Sequence, residues 1–309
     1  MKRRFSADGV MHIYQRTKSG FNLFYTLEDF LVYYTIASVK APTYRVRLMG
    51  LCLMIDHVHM LLRTENRTQM SDYISVCSSV YAREFNAFTG RKGELFESAF
   101  GSAVKTEAKK IRSAIAYLFN NPVEKLLCLR AEDYRWNFLA YYTERFPFSS
   151  VPAKTSRKLK RSMNIVDDSF KRGQYIKYQL VEVIMKNLNT EEKQYMTDYI
   201  ISKYFPFDRA ELASWYKSHK DMLTAIDSNT GSEYEIAEKH YCKSDVPYRE
   251  IVAVLKKEQL TDIHSAITLP DDAKQTYLKL LKRSTSASYA QIRKFLHMKS
   301  PEDPNKTSI

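Results

Sequence analysis

Two histidines one residue apart, His57 and His59, lie near the end of the apolar run LMGLCLMIDHVHMLLR. In an extended strand successive side chains alternate between faces, so both imidazoles point one way while Val58 and Met60 point the other. Two neutral ring nitrogens on one face can share a divalent ion and leave positions open for a third protein group and a substrate. The pattern is short, and in isolation a pair of surface or capping histidines is the commoner explanation. A second segment, KKIRSAIAYLFNNPVEKLL, supplies what the pair lacks. Tyr117 and Asn121 are four residues apart and share a helix face, which lets a hydroxyl and an amide oxygen face the same ion. Taken alone, Tyr117 reads as a core tyrosine and Asn121 as a helix C-cap. Only the combination with His57 and His59 suggests chemistry.

The elements that must position these groups follow from periodicity. Residues 10–17 (VMHIYQRT) read as a strand and residues 44–63 as two strands or one interrupted strand, with Gly50 marking a bulge or bend. Residues 27–40 and 68–88 carry helical spacing. After the turn-rich TGRKGE, residues 95–100 and 102–105 are short strand-like pieces. A third helix is expected to start near Thr106, capped by its hydroxyl with Glu107 in the first turn, and to stop at Asn121, because Pro122 disfavours helical geometry in the residue before it. Elements in this order imply an α+β domain with helices packed on a mainly antiparallel sheet.

The character changes near Pro147. Residues 152–162 (PAKTSRKLKRS) concentrate Lys and Arg beside Pro and Ser, as a linker or a phosphate-contacting arm would. Beyond Ile165 helical spacing dominates. The expected organisation is a domain at 1–150, a basic linker at 151–162, an all-helical region at 163–300 and a disordered tail at 301–309.

Lys and Arg outnumber Asp and Glu by 48 to 35 over 309 residues, a formal charge of +13 that favours polyanionic partners. Nucleic acid leads, ahead of an anionic membrane surface. No apolar run approaches the roughly 20 residues that span a bilayer, and the start MKRRFSADGV leads into polar sequence, so a cytoplasmic chain without membrane engagement is expected. Cys52, Cys77, Cys128 and Cys242 are far apart and form no CxxC pair, which argues for reduced thiols, Cys52 among them buried.

MIDHVHMLL followed about sixty residues later by AYLFNNPV resembles the HUH endonucleases with a single catalytic tyrosine, specifically the REP-associated tyrosine transposases. VMHIYQRT, LFYTLEDF, SSVYAREFNAFTGRKGELFESAF and DYRW extend the resemblance over residues 8 to about 142. It implies a ferredoxin-like antiparallel sheet with packed helices, His57, His59 and Asn121 as ligands of Mg²⁺ or Mn²⁺, and Tyr117 as the nucleophile. The implied reaction leaves a 5′-phosphotyrosine and a free 3′-hydroxyl on single-stranded or hairpin DNA, and a second 3′-hydroxyl can reverse it to join strands. Two positions depart from the family pattern: Leu126 where a glycine often follows NPV, and Asn137 and Phe138 where two serines usually follow the YxW element. Some relatives set a tyrosine helix against the metal site of a second subunit, so a homodimer is a further partner to consider.

Tyr81 is a weaker candidate nucleophile, since no amide follows it at a ligand offset in a terminated helix. His12 could face the sheet surface near the metal, although a satisfied structural histidine is the commoner reading. Arg91, Lys92, Lys105, Lys109, Lys110 and Arg112 border the third helix as a candidate phosphate groove. Near the end, residues 270–298 read as two short amphipathic helices around a Ser-rich turn, a candidate helix-turn-helix with Gln291, Arg293 and Lys294 outward for duplex DNA and Ile292, Phe295 and Leu296 inward. Two other functions compete. A small-molecule metallohydrolase would need further His and Asp ligands, whereas His219, His240, His264 and His297 are scattered. A catalytically idle, transposase-derived DNA-binding regulator would need none of the four matched residues.

Overall fold

The computed structural model describes residues 5–97, 100–152, 154–228, 244–258, 260 and 262–299. Its sheet is built from β1 (Val10–Arg16), β2 (Arg47–Met54), β3 (His57–Arg63) and β4 (Gly101–Lys105) in the order β2-β3-β1-β4, every pair antiparallel. Helix α1 (Leu27–Thr43) links β1 to β2, α2 (Arg67–Thr89) links β3 to β4, and α3 (Ala108–Glu124) follows. This is the ferredoxin-like arrangement implied by the sequence. The register between β2 and β3 shifts at Leu48 and Gly50, the expected bulge. A Cβ on Gly50 would lie 3.2 Å from Leu118 of α3, so the missing side chain lets α3 settle on the sheet.

Helix α3 departs from expectation at both ends. Glu107, not Thr106, is the N-cap residue, and no side chain caps the helix there. The helix also runs through Pro122 to Glu124. A proline in the last turn removes only one backbone donor, and the end is closed instead by Leu127 N–H to Pro122 O and Leu126 N–H to Val123 O, both 2.9 Å. That closure needs a left-handed residue, and Leu126 supplies it at φ 59°. The glycine common in the resembled family has a physical reason at this position.

The C-terminal half is helical among its described residues: α4 (Arg157–Lys171), α5 (Tyr178–Met185), α6 (Thr190–Lys203), α7 (Arg209–Ser214), α8 (His219–Asp227), α9 (Val246–Lys257), α10 (Asp271–Ser284) and α11 (Tyr289–Phe295). Within the basic run at 151–162, Ser156 caps a helix, its hydroxyl accepting from Leu159 N–H at 3.0 Å. Beyond it the run forms the first turns of α4, with Leu159 and Ser162 buried. The core does not part there. One continuous apolar cluster joins the sheet and α1–α3 to Leu159, Ile184, Met196 and Ile226 of the following helices. A separate cluster around Ile251, Leu278, Leu281 and Phe295 belongs to α9–α11. Polar ties cross the compositional boundary too: Tyr34 Oη donates to Ile201 O at 2.8 Å, and Tyr141 Oη to Asp198. Asp208 N–H donates to Leu48 O at 2.8 Å and covers the free edge of β2.

Cys52 and Cys77 are buried and reduced, while Cys242, His240 and the tail at 301–309 lie outside the described residues. Among the described residues no helix is long and apolar enough to cross a membrane.

Candidate active site

Strand β3 carries His57 and His59 on one face, and β1 lays Tyr14 directly opposite His59 and His12 opposite Leu61, so alternation puts His12 and Tyr14 beside the pair. The ring of His59 is 4.9 Å from that of His57 and 5.3 Å from those of both His12 and Tyr14. Each histidine is anchored through Nδ1. His57 Nδ1 lies 2.6 Å from Asp56 Oδ1, and His59 Nδ1 lies 3.2 Å from His12 Nε2. Asp56 in turn meets Lys294 Nζ at 3.3 Å. Burial alone would raise the Asp56 carboxyl, but His57 and Lys294 outweigh it and hold the group well below the usual range. It is therefore a carboxylate at neutral pH, and it fixes His57 with the proton on Nδ1. His57 Nε2 is buried with no hydrogen-bond partner among the described residues.

Helix α3 covers this face. Asn121 brings its amide Nδ2 to 3.4 Å from His59 Nε2, and the Tyr117 ring lies 5.7 Å from those of both His12 and His59. The four residues singled out from the sequence thus converge, and all are buried. Tyr81 is buried on α2, where its hydroxyl donates to Leu23 O and receives the Tyr178 hydroxyl, each at 3.2 Å.

The donor set suits a divalent ion. Two imidazoles whose Nδ1 atoms are engaged present Nε2, one of them orphaned, and an amide stands beside the other. Among the described residues there is no group of three or more His, Cys, Asp or Glu side chains that could hold a metal, so any site here depends on the amide.

The basic residues divide. Lys92, Lys109, Lys110 and Arg112 are exposed, Lys110 pairing with Glu107 at 2.8 Å. Lys105 is buried. Arg91 directs its guanidinium inward, to His297 Nδ1 at 3.0 Å, Asn86 Oδ1 at 3.0 Å and Glu94 O at 2.8 Å, and braces the turn after α2 against the C-terminal region. The candidate helix-turn-helix consists of α10 and α11, with Ser288 capping α11 and Ile292, Phe295 and Leu296 buried as expected. Its outward face differs from expectation. Gln291 is buried, its Nε2 donating to Ser244 O at 3.0 Å, and Lys294 reaches Asp56. Helix α11 docks on the sheet domain because its backbone is wanted there: Asn22 N–H donates to Lys294 O at 3.2 Å and Tyr25 Oη to Phe295 O at 2.7 Å.

Sequence reasoning missed three participants, Tyr14, Asp56 and Asp245, and favoured a structural role for His12, which it also placed near the metal. His12 and Tyr14 were legible as alternate residues of a strand, had the pairing of β1 with β3 been known. Asp56 sits next to His57, and only the turn geometry reveals its contact. Asp245 opens α9, hydrogen-bonds Lys125 O through its N–H at 3.2 Å and leaves Oδ2 buried without a partner among the described residues. Burial first, then the Asp56 charge, pushes its carboxyl up to about 6.

Residues 8–121, which contain all four converging side chains, match the family model described as Transposase IS200 like. No curated protein matches the chain. A solved structure described as the REP-associated tyrosine transposase bound to a REP hairpin is similar at 14% identity, covering 44% of this chain and 79% of that one with a TM-score of 0.38.

Proposed function

We propose that this chain, in which residues 8–121 form an IS200-like transposase domain, cuts and rejoins single-stranded or hairpin DNA through Tyr117. The observation that carries the reading is the paired anchoring of His57 and His59 through Nδ1, with Tyr117 and Asn121 on the facing helix. His57, His59 and Asn121 would hold Mg²⁺ or Mn²⁺, since two imidazoles and an amide with open positions make a harder site than zinc usually occupies. When bound, the ion neutralises phosphate charge and orients phosphorus for in-line attack.

The chain's own part is positioning. Tyr117 Oη forms the bond to phosphorus and gives up its proton, the bond to the departing 3′ oxygen breaks and that oxygen takes up a proton to become the free 3′-hydroxyl, and the 5′-phosphate stays on the tyrosine. Its ring lies against the imidazoles of His12 and His59. Asp56 and His12 engage the histidine Nδ1 atoms and leave the Nε2 atoms for the ion. Because the linkage retains the energy of the broken bond, a second 3′-hydroxyl can attack it and restore a phosphodiester.

The test is incubation of end-labelled hairpin DNA with the protein and Mg²⁺, read on a denaturing gel. A covalent adduct that disappears in Tyr117→Phe is the expected result. DNA binding without any adduct would favour the idle regulator instead.

A further inference from the structure

Strand β1 runs beside the candidate site, and alternation puts Arg16 on the face that carries His12 and Tyr14. The register sets it directly opposite His57 across the β1–β3 pair. From there the guanidinium bends back along the strand: its Cζ lies over the Tyr14 ring, 4.7 Å from the centroid. That ring stacks on His59 at 5.3 Å, with planes 29° apart, and meets His57 edge-on at 5.9 Å. Strand β4 leaves room for it, since the cross-strand neighbour of Tyr14 is Gly101, where a Cβ would lie 3.0 Å from Tyr14 Cδ1. Tyr117 meets the same His59 ring at 5.7 Å. The nucleophile and the Arg16–Tyr14 pair therefore converge on one imidazole.

Arg63, Arg91 and Arg135, also half-buried, are each spent on partners: Arg63 on Glu211 at 3.0 Å, Arg91 on His297 and Glu94 O, Arg135 on Gln194 at 2.7 Å and Asp198 at 3.2 Å. Arg16 is half-buried as well, yet among the described residues its guanidinium has no hydrogen bond and no carboxylate partner. The Tyr14 ring steadies the cation and uses none of its donors. Those donors form a permanently charged planar fork that matches two oxygens of a phosphate. We propose that Arg16 is a catalytic residue that grips the phosphate attacked by Tyr117, donating two N–H bonds to its non-bridging oxygens. The proposal rests on the reading of this chain as a tyrosine nuclease. While the bond to Tyr117 Oη forms and the bond to the 3′ oxygen breaks, Arg16 stabilises the charge on those oxygens and keeps its own proton throughout.

Arg16→Gln and Arg16→Lys in the full chain test it through two readouts. One is affinity for fluorescent hairpin DNA in EDTA, measured by anisotropy over a range of salt. The other is the single-turnover rate of adduct formation at saturating DNA with Mg²⁺. Having lost one phosphate contact, Arg16→Gln is expected to bind about tenfold more weakly, with a plot of log Kd against log salt shallower by about 0.7. Its adduct rate should fall about 10²–10³-fold even at saturation. Arg16→Lys keeps the charge and loses the fork, so it should restore the slope and recover only part of the rate. A wild-type adduct with slope and rate both unchanged in Arg16→Gln would overturn the proposal and spare the nuclease. A shallower slope with an unchanged rate would also overturn it, since the phosphate held then lies away from the cut. No adduct from wild type, with the slope still shallower in Arg16→Gln, would sink the nuclease and with it the catalytic role, leaving Arg16 as a phosphate contact alone.

Discussion

Tyr81 and Tyr117 are both buried, on different helices of one domain, yet only one has neighbours that can use a hydroxyl. Tyr81 is packed among Phe24, Tyr33 and Phe85, and its hydroxyl is spent on a backbone carbonyl and on Tyr178. Burial, then the charge of Asp29, pushes its ionisation well above that of an ordinary tyrosine. Tyr117 faces imidazoles. Around it the sheet keeps polar atoms that no other described residue satisfies, His57 Nε2 and Tyr14 Oη. Burial is common to both tyrosines; unpaired polarity sets the surroundings of Tyr117 apart. Each unpaired atom costs stability that a simple core would not surrender.

The comparison breaks most decisively at the nucleophile. Tyr117→Phe is expected to lower adduct yield at least roughly 10³-fold with DNA affinity nearly unchanged, while Tyr81→Phe should keep full cleavage and lose about 1 kcal/mol of stability. Paired gel assays and urea melts decide it, and the reverse pattern would exchange the roles of the two tyrosines.

A fragment ending before Pro152 is the next largest perturbation. It strips Ile184, Met196 and Ile201 from the shared cluster and leaves Tyr34 without its partner. At about 1.5–3 kcal/mol per buried aliphatic side chain, it should lose cooperative unfolding altogether. A sharp thermal transition in that fragment, seen by calorimetry, would mean that the sheet domain is self-sufficient.

At Tyr14 the comparison predicts opposite signs for stability and function. Removing an unsatisfied buried hydroxyl with Tyr14→Phe should leave stability equal or raise it by about 1 kcal/mol, and slow cleavage roughly tenfold if the hydroxyl serves the substrate phosphate. Single-turnover rates beside urea melts separate the two effects.

The Asp29–His264 contact, 2.9 Å to each carboxylate oxygen, gives a pH signature. Burial alone would lower the His264 pKa; Asp29 outweighs it and the net shift is upward. A pKa raised on folding contributes stability that is fully present below the unfolded value of about 6.5 and is lost as pH rises through the folded value. His264→Gln should therefore flatten the decline in melting temperature above neutrality, and an unchanged profile would assign that decline elsewhere. The smallest effect is at the end of α3: Leu126→Gly removes a left-handed leucine that is exposed, and should add about 0.4–1 kcal/mol in a urea melt with cleavage unaltered.

Much of the first half was legible because its period-2 and period-3.6 patterns alternate cleanly, and because His57, His59, Tyr117 and Asn121 lie on regular elements where spacing fixes direction. Asp56 and Asp245 were not legible, since turns and helix starts carry no periodicity to aim a side chain. Lys294 misled for a related reason. Amphipathic spacing separates the face of α11 that packs on α10 from the rest, but says nothing of a third surface, and that surface is the sheet domain. The basic run at 151–162 failed similarly: its charges mark the solvated side of a helix whose other side carries Leu159 and Ser162.

Asp29 has a consequence in time. It accepts the N–H groups of Tyr25 and Thr26 at the start of α1, the hydroxyl of Tyr178 and the ring of His264, the last from 235 residues further along the chain. During synthesis at roughly 5–20 residues per second, that partner follows Asp29 by about 12–47 s. Early in that interval the carboxylate at the root of α1 has only its local partners; Tyr178 follows 149 residues behind it, and His264 comes last. The ties of Asp29 are therefore complete only once residue 264 has been made, so the root of α1 reaches its finished form long after its own residues have emerged.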